Sequence, residues 1–170
     1  MNIASEQDIL EMPVTFAKEN PMLKAALDAI NSIDLTMVKM KLMDEEEGQG
    51  WDKEYCDHVE GLYRRYLCLL YLDFEAPHVP TIDIDLFWHQ HILDTRAYAK
   101  DCQKVFGQFL HHFPYFGMRG EEDAKNLSDA FEETKKIYFN LFGEEYCDVT
   151  SGCKKCSCSS KCGPSKCSKT

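Results

Sequence analysis

The sequence predicts an all-α fold: a single compact domain of about five helices carrying a disordered, cysteine-rich C-terminal tail. Three observations predict it. Apolar residues recur at helical spacing almost throughout. Strand-like alternation bounded by hairpin turn signals is missing. Beyond Tyr146 there is no aromatic residue, and beyond Val149 no apolar one except cysteine. The last observation divides the chain into an acidic helical domain over residues 1–146 and a flexible basic tail over 147–170, which lacks the apolar surface to offset the entropy of ordering. A chain of 170 residues, 44% of them hydrophobic, suffices for one core but not comfortably for two.

A possible short turn opens at Ser5, and a first helix then fits residues 21–31. Pro21 suits a helix start there, and Leu23, Ala26, Leu27 and Ile30 fall on one side. A second fits 34–45, with Leu35, Val38 and Leu42 inward. The run Glu45-Glu46-Glu47-Gly48-Gln49-Gly50 reads as an exposed loop. Asp52 is a plausible N-cap for a long core helix ending near Asp73, its stripe formed by Tyr55, Val59, Leu62, Tyr66, Leu69 and Leu70. After a proline-bracketed connection, Thr81, Asp83 or Asp85 can cap a helix running to Phe106 before Gly107. The last helix spans about 121–142 and stops at Gly143.

The formal net charge is −10, and the five lysines beyond residue 148, with no acid among them, leave −15 for the rest. Such a body repels phosphate backbones and anionic membranes, so neither nucleic acid nor a membrane is an expected partner. The start lacks the basic and apolar regions of a secretory signal, and no run of about 18 apolar residues occurs. A cytoplasmic protein is expected, in which nine cysteines serve as thiols or metal thiolates rather than disulfides. Metal ions and a protein are the expected partners.

The densest unusual chemistry lies between residues 83 and 120, which hold four of the six histidines. On a regular helix Asp85 and His89, one turn apart, share a side with Leu86, Ile92, Leu93 and Ala97, while His91, Asp94, Tyr98 and Asp101 gather opposite. One reading puts Asp85, His89 and either His111 or His112 around zinc, iron or copper, since imidazole and carboxylate suit these metals. The other makes Asp85 an N-cap, His89 a buried histidine, Trp88 a core residue, and His111–His112 a partly exposed turn. Two Glu-x-x-His motifs on facing helices, His-Glu-x-x-His, Gly-x-Ser-x-Gly and Walker-type loops are all missing, the one Glu-x-x-His lying in the proline-bracketed connection at Glu75–His78, which removes the usual signatures of di-iron proteins, metalloproteases, hydrolases and nucleotide-binding folds. Cys56, Cys68 and Cys102 sit within helices as small buried hydrophobes.

The pattern from Asp85 through Thr95, then Tyr98, Asp101-Cys102, Phe106 to His112 and Pro114 to Gly117, resembles the helical domain of the glycine-rich domain-containing protein-like family. The resemblance extends over roughly residues 20–143 and implies an all-helical fold without implying an activity. The glycine-rich region appended in plant relatives is missing from this chain, which has the cysteine tail instead.

Cys147, Cys153, Cys156, Cys158, Cys162 and Cys167 place six thiols within 21 residues among Ser, Lys and Gly. Neighbouring lysines favour the thiolate form and small residues let the chain wrap an ion, so zinc or copper(I) is the expected cargo. In composition the tail is similar to a metallothionein, although its spacing matches no zinc-finger class. Three functions follow: a metal-handling protein whose tail captures the ion, with a possible second site at the histidines; a metal-dependent, oxidative enzyme using Asp85, His89 and His111 or His112; or a metal-free helical interaction module with a redox-sensitive or modified tail.

Overall fold

A computed structural model describes residues 20–149. The expected turn at Ser5 and the five cysteines from Cys153 onward lie outside these residues. The described chain contains six α-helices and no strand: α1 Pro21–Asn31, α2 Thr36–Met43, α3 Lys53–Leu72, α4 Ile82–Leu93, α5 Thr95–Phe106 and α6 Glu121–Phe142. None of them is long and apolar enough to cross a membrane.

Local chemistry sets most of the ends. The Asn20 side chain accepts from Met22 N at 2.8 Å with Pro21 beside it, and Asp52 accepts from Tyr55 N at 2.8 Å. Gly107 and Gly143 take the left-handed conformation that ends α5 and α6. Thr81, not Asp83 or Asp85, caps α4.

The helix α3 is the centre of the domain, with α1, α2, α4 and α6 packed against it. Val59, Tyr63, Tyr66, Leu67 and Leu69 are among its residues that are at most 1% exposed. Arg64 ties it to α1: Nη1 donates to Ile30 O at 2.7 Å and Nη2 to Ile33 O at 3.0 Å, satisfying carbonyls at the end of that helix.

Two expectations need correction. Residues 82–106 form two helices rather than one, giving six in all. Asp94 leaves helical geometry with ψ 69°, and its carboxylate accepts from Ala97 N at 3.3 Å to start α5. An aspartate supports a fresh N-cap better than a helix interior, and here capping outweighs the continuing apolar pattern.

The face assignment of α4 is reversed. Ile84, Phe87, Trp88 and His91 face the core, whereas Leu93 is 71% exposed and His89 is exposed. Burying an aromatic pair removes more apolar area from water than burying two leucines, so Phe87 and Trp88 fix the rotation. The buried histidine is therefore His91. Its Nδ1 lies 2.9 Å from the Tyr63 hydroxyl and its Nε2 3.2 Å from Asp101 Oδ2. With the carboxylate as acceptor, Nε2–H donates to Asp101 and Nδ1 accepts from Tyr63. Burial lowers the pKa of His91, opposed by Asp101.

This reversal is testable by chemical denaturation in the presence of a chelator. His91→Ala is expected to cost about 2–4 kcal/mol through a cavity and two orphaned partners, and His89→Ala no more than about 0.5 kcal/mol. The opposite ranking would restore the inward placement of His89.

Candidate metal centre

The carboxylate and imidazole on the outward face of α4 meet a loop that crosses above them. Asp85 and His89 are one helical turn apart, and the segment between α5 and α6 delivers His112. His112 Nε2 lies 2.8 Å from Asp85 Oδ1 and 3.2 Å from His89 Nε2, while His89 Nε2 is 3.6 Å from Asp85 Oδ2. One ligand atom from each residue falls within 4.8 Å of the others. Asp85 is thus a side chain inside the first turns of α4 and not its cap.

These separations, taken to both carboxylate oxygens of Asp85, are of the size found between ligands of one ion. An ion bound at about 2.1 Å to each of three ligands separates them by roughly 3.0 Å in octahedral and 3.4 Å in tetrahedral geometry. The directions of the groups point the same way. A ring nitrogen has a single in-plane position, for a proton or a lone pair, yet His112 Nε2 faces both Asp85 and His89. A cation between them would satisfy all three.

The loop is held from several sides. The Trp88 indole N–H donates to the Tyr98 hydroxyl at 2.9 Å, and that hydroxyl donates to Leu110 O at 2.6 Å. The rings of Trp88 and His112 meet edge-on at 4.6 Å. Farther along, Gly117 N and the Arg119 side chain both donate to Asp123 on α6, at 2.7 and 2.6 Å to the nearer oxygens. Gly117 has φ 87°, and a Cβ there would stand 2.5 Å from Leu127 Cδ2, so glycine alone fits this approach to α6.

Of the expected ligands, His111 stands apart: it is exposed and rests against Phe109, ring centres 4.9 Å apart. Cys147 is half-buried at the other end of the described chain. Cys56, Cys68 and Cys102 are all buried, and burial raises each thiol, Cys68 to about 12, which suits packing and not nucleophilic attack.

The cluster forms part of the wall of a cleft of about 740 Å³, lined mainly by apolar side chains such as Leu70, Phe74, Val79, Ile82 and Phe116. His78, which the sequence reading did not single out, also lines it. Its Nε2 is buried and has no hydrogen-bond partner among the described residues. Its only sequence signal is its position between two prolines, which is weak.

Burial lowers the His78 pKa from 6.5 to about 4, opposed by Asp73. A base with a depressed folded pKa contributes stability that is complete above its unfolded pKa. As pH falls from 6.5 toward 4, the unfolded chain takes up a proton that the folded chain refuses, and this stability is lost. The urea midpoint of the native protein should therefore fall over that window more steeply than that of His78→Gln, the difference reaching roughly 2–3 kcal/mol. Parallel curves would show that His78 protonates freely in the fold.

Comparison with known proteins adds the lineage of this domain. The chain is 37% identical over 68 residues to glycine-rich domain-containing protein 1 of Arabidopsis thaliana, and equally so to glycine-rich domain-containing protein 2 of the same plant. Each match covers 40% of this chain and 8% of the relative, so the chain spans a small fraction of the length of these proteins. No solved structure matches. The UCP032817-like family model matches residues 26–134, more than half of the chain and all three clustered side chains, and the protein therefore belongs to the UCP032817-like family, with the glycine-rich domain-containing proteins among its relatives.

Proposed function

We propose that this is a cytoplasmic metal-binding protein whose helical domain holds a divalent transition-metal ion on Asp85, His89 and His112. The observation that carries the reading is the convergence of three side chains with ligand atoms from α4 and the loop between α5 and α6. Two imidazoles and one carboxylate suit zinc or iron(II), and three protein ligands leave positions open to a water or a small molecule. Those positions border the apolar cleft, which favours a metal that acts on a bound apolar molecule over one that is merely stored. Such an ion would polarise an oxygen of the bound molecule or lower the pKa of a bound water.

The tail keeps its place in this proposal as a second, softer ligand set, with zinc or copper(I) on the thiolates of Cys147, Cys153, Cys156, Cys158, Cys162 and Cys167. The buried thiols of Cys56, Cys68 and Cys102, none in a disulfide, support a reducing compartment.

The test uses the full chain with Cys153, Cys156, Cys158, Cys162 and Cys167 replaced by serine, which silences the tail without shortening it. After equilibration with Zn²⁺ under reducing conditions, elemental analysis should find about one equivalent of metal. Asp85→Ala, His89→Ala and His112→Ala should each weaken binding by about 10- to 100-fold or more while leaving the helical circular dichroism unchanged. Absence of metal from the serine form with its triad intact would overturn the reading.

A further inference from the structure

The cleft beside the triad is an exception to the charge of the protein around it. The chain carries a net charge of −10, yet among the residues lining the cleft Asp85 is the one carboxylate and Arg119 the one guanidinium or ammonium group. Arg119 is already committed: its Nη2 donates to Asp123 Oδ1 at 2.6 Å, and its guanidinium lies 4.9 Å from the centre of the Phe113 ring. Asp85 is itself one of the three ligands. Two neutral imidazoles and one carboxylate around a divalent cation leave one positive charge uncompensated. With the ion in place, the cleft of an acidic protein therefore favours an anion.

The other polar side chains of the wall are spent within the protein. The Tyr66 hydroxyl donates to His78 O at 3.0 Å, the Thr81 hydroxyl accepts from Ile84 N at 3.4 Å, the Trp88 N–H is held by Tyr98, and His111 rests against Phe109. His78 Nε2 has no partner among the described residues, but it is buried, so a guest on the open surface does not reach it. Beyond the triad a guest meets apolar surface: Leu70 of α3, Phe74 and Val79 of the following connection, Phe116 of the loop before α6 and Leu127 of α6. A volume of about 740 Å³ suits a small molecule.

We infer that the cleft takes a small apolar carboxylic acid in its ionised form, with the carboxylate on the ion held by Asp85, His89 and His112 and the hydrocarbon part along the apolar wall. This rests on the metal reading of the triad and adds to it the class of molecule that the site accepts. Binding is a ligand exchange: a carboxylate oxygen replaces a water on the ion, and no proton or electron is transferred. An alcohol of the same length covers the same wall without cancelling the charge, and an alkylammonium ion meets repulsion there. Acetate cancels the charge but leaves the wall in water. Head group and tail are thereby separable.

The test uses the five-serine form of the full chain, loaded with zinc, freed of excess metal and titrated by calorimetry with sodium octanoate. The same sample is analysed for zinc. One octanoate per chain is expected, bound about tenfold or more tightly than octanol or acetate, and tightening up to about fourfold for each methylene added from hexanoate onward. The metal-free protein should bind octanoate at least about tenfold more weakly. Ile82 lines the cleft and is 68% exposed, so replacing it leaves the core intact. Ile82→Lys should hold octanoate about threefold or more tightly than Ile82→Glu. On a sample shown to contain zinc, the inference is overturned if octanoate does not bind, if octanol or acetate binds as tightly, if the metal-free protein binds octanoate equally, or if the two Ile82 variants do not differ. A sample without zinc overturns the metal reading itself, and the inference with it.

Discussion

One oxygen atom, the hydroxyl of Tyr98, joins the three parts of the chain on which the candidate metal centre depends. It accepts from the Trp88 indole on α4, donates to the Leu110 carbonyl in the following loop, and belongs to α5. Tyr98 is 2% exposed, so neither partner could turn to water if the hydroxyl were removed, and both would be left unsatisfied in the core. Burial raises the pKa of this phenol, keeping it in the neutral form that can accept and donate at once. His112 follows Leu110 by two residues. The junction that satisfies buried polar groups is therefore also what brings an imidazole over Asp85 and His89.

The same helix serves both purposes because its two faces do different work. Inward, Phe87 lies against Tyr63 and Trp88 against Tyr66, with ring centres 5.0 and 5.6 Å apart, and His91 is held between Tyr63 and Asp101. Outward, Asp85 and His89 are left to chemistry. The position of Asp85 and His89 is inherited from a rotation fixed by packing, so the pair needs no dedicated scaffold on its own face.

What the sequence makes legible follows from how local the cause is. The starts of α1 and α3 and the ends of α5 and α6 are readable because Asn20-Pro21, Asp52, Gly107 and Gly143 act within a turn of themselves. The pairing of Asp85 with His89 is readable because helical spacing alone dictates it. The break at Asp94 is less so, since an aspartate between apolar stretches fits a cap and a solvated position equally well. Choosing His112 over His111 depends on the path of a loop held by Tyr98 at one end and by Gly117 and Asp123 at the other. Those contacts are distant in sequence and leave no periodic trace. The face of α4 is not legible from its aliphatic residues, because the aromatic volume of Phe87 and Trp88 sets the rotation.

Trp88 has a place in both faces. Its N–H is committed to the core, while the edge contact with His112 puts its ring against the Asp85, His89 and His112 cluster. The other tryptophan, Trp51, packs on Tyr55 near the start of α3. An indole in edge contact with the His112 imidazole senses that ring's charge, so an ion bound there would change the emission of Trp88. The fold has in effect placed a natural fluorescent label at its chemical centre.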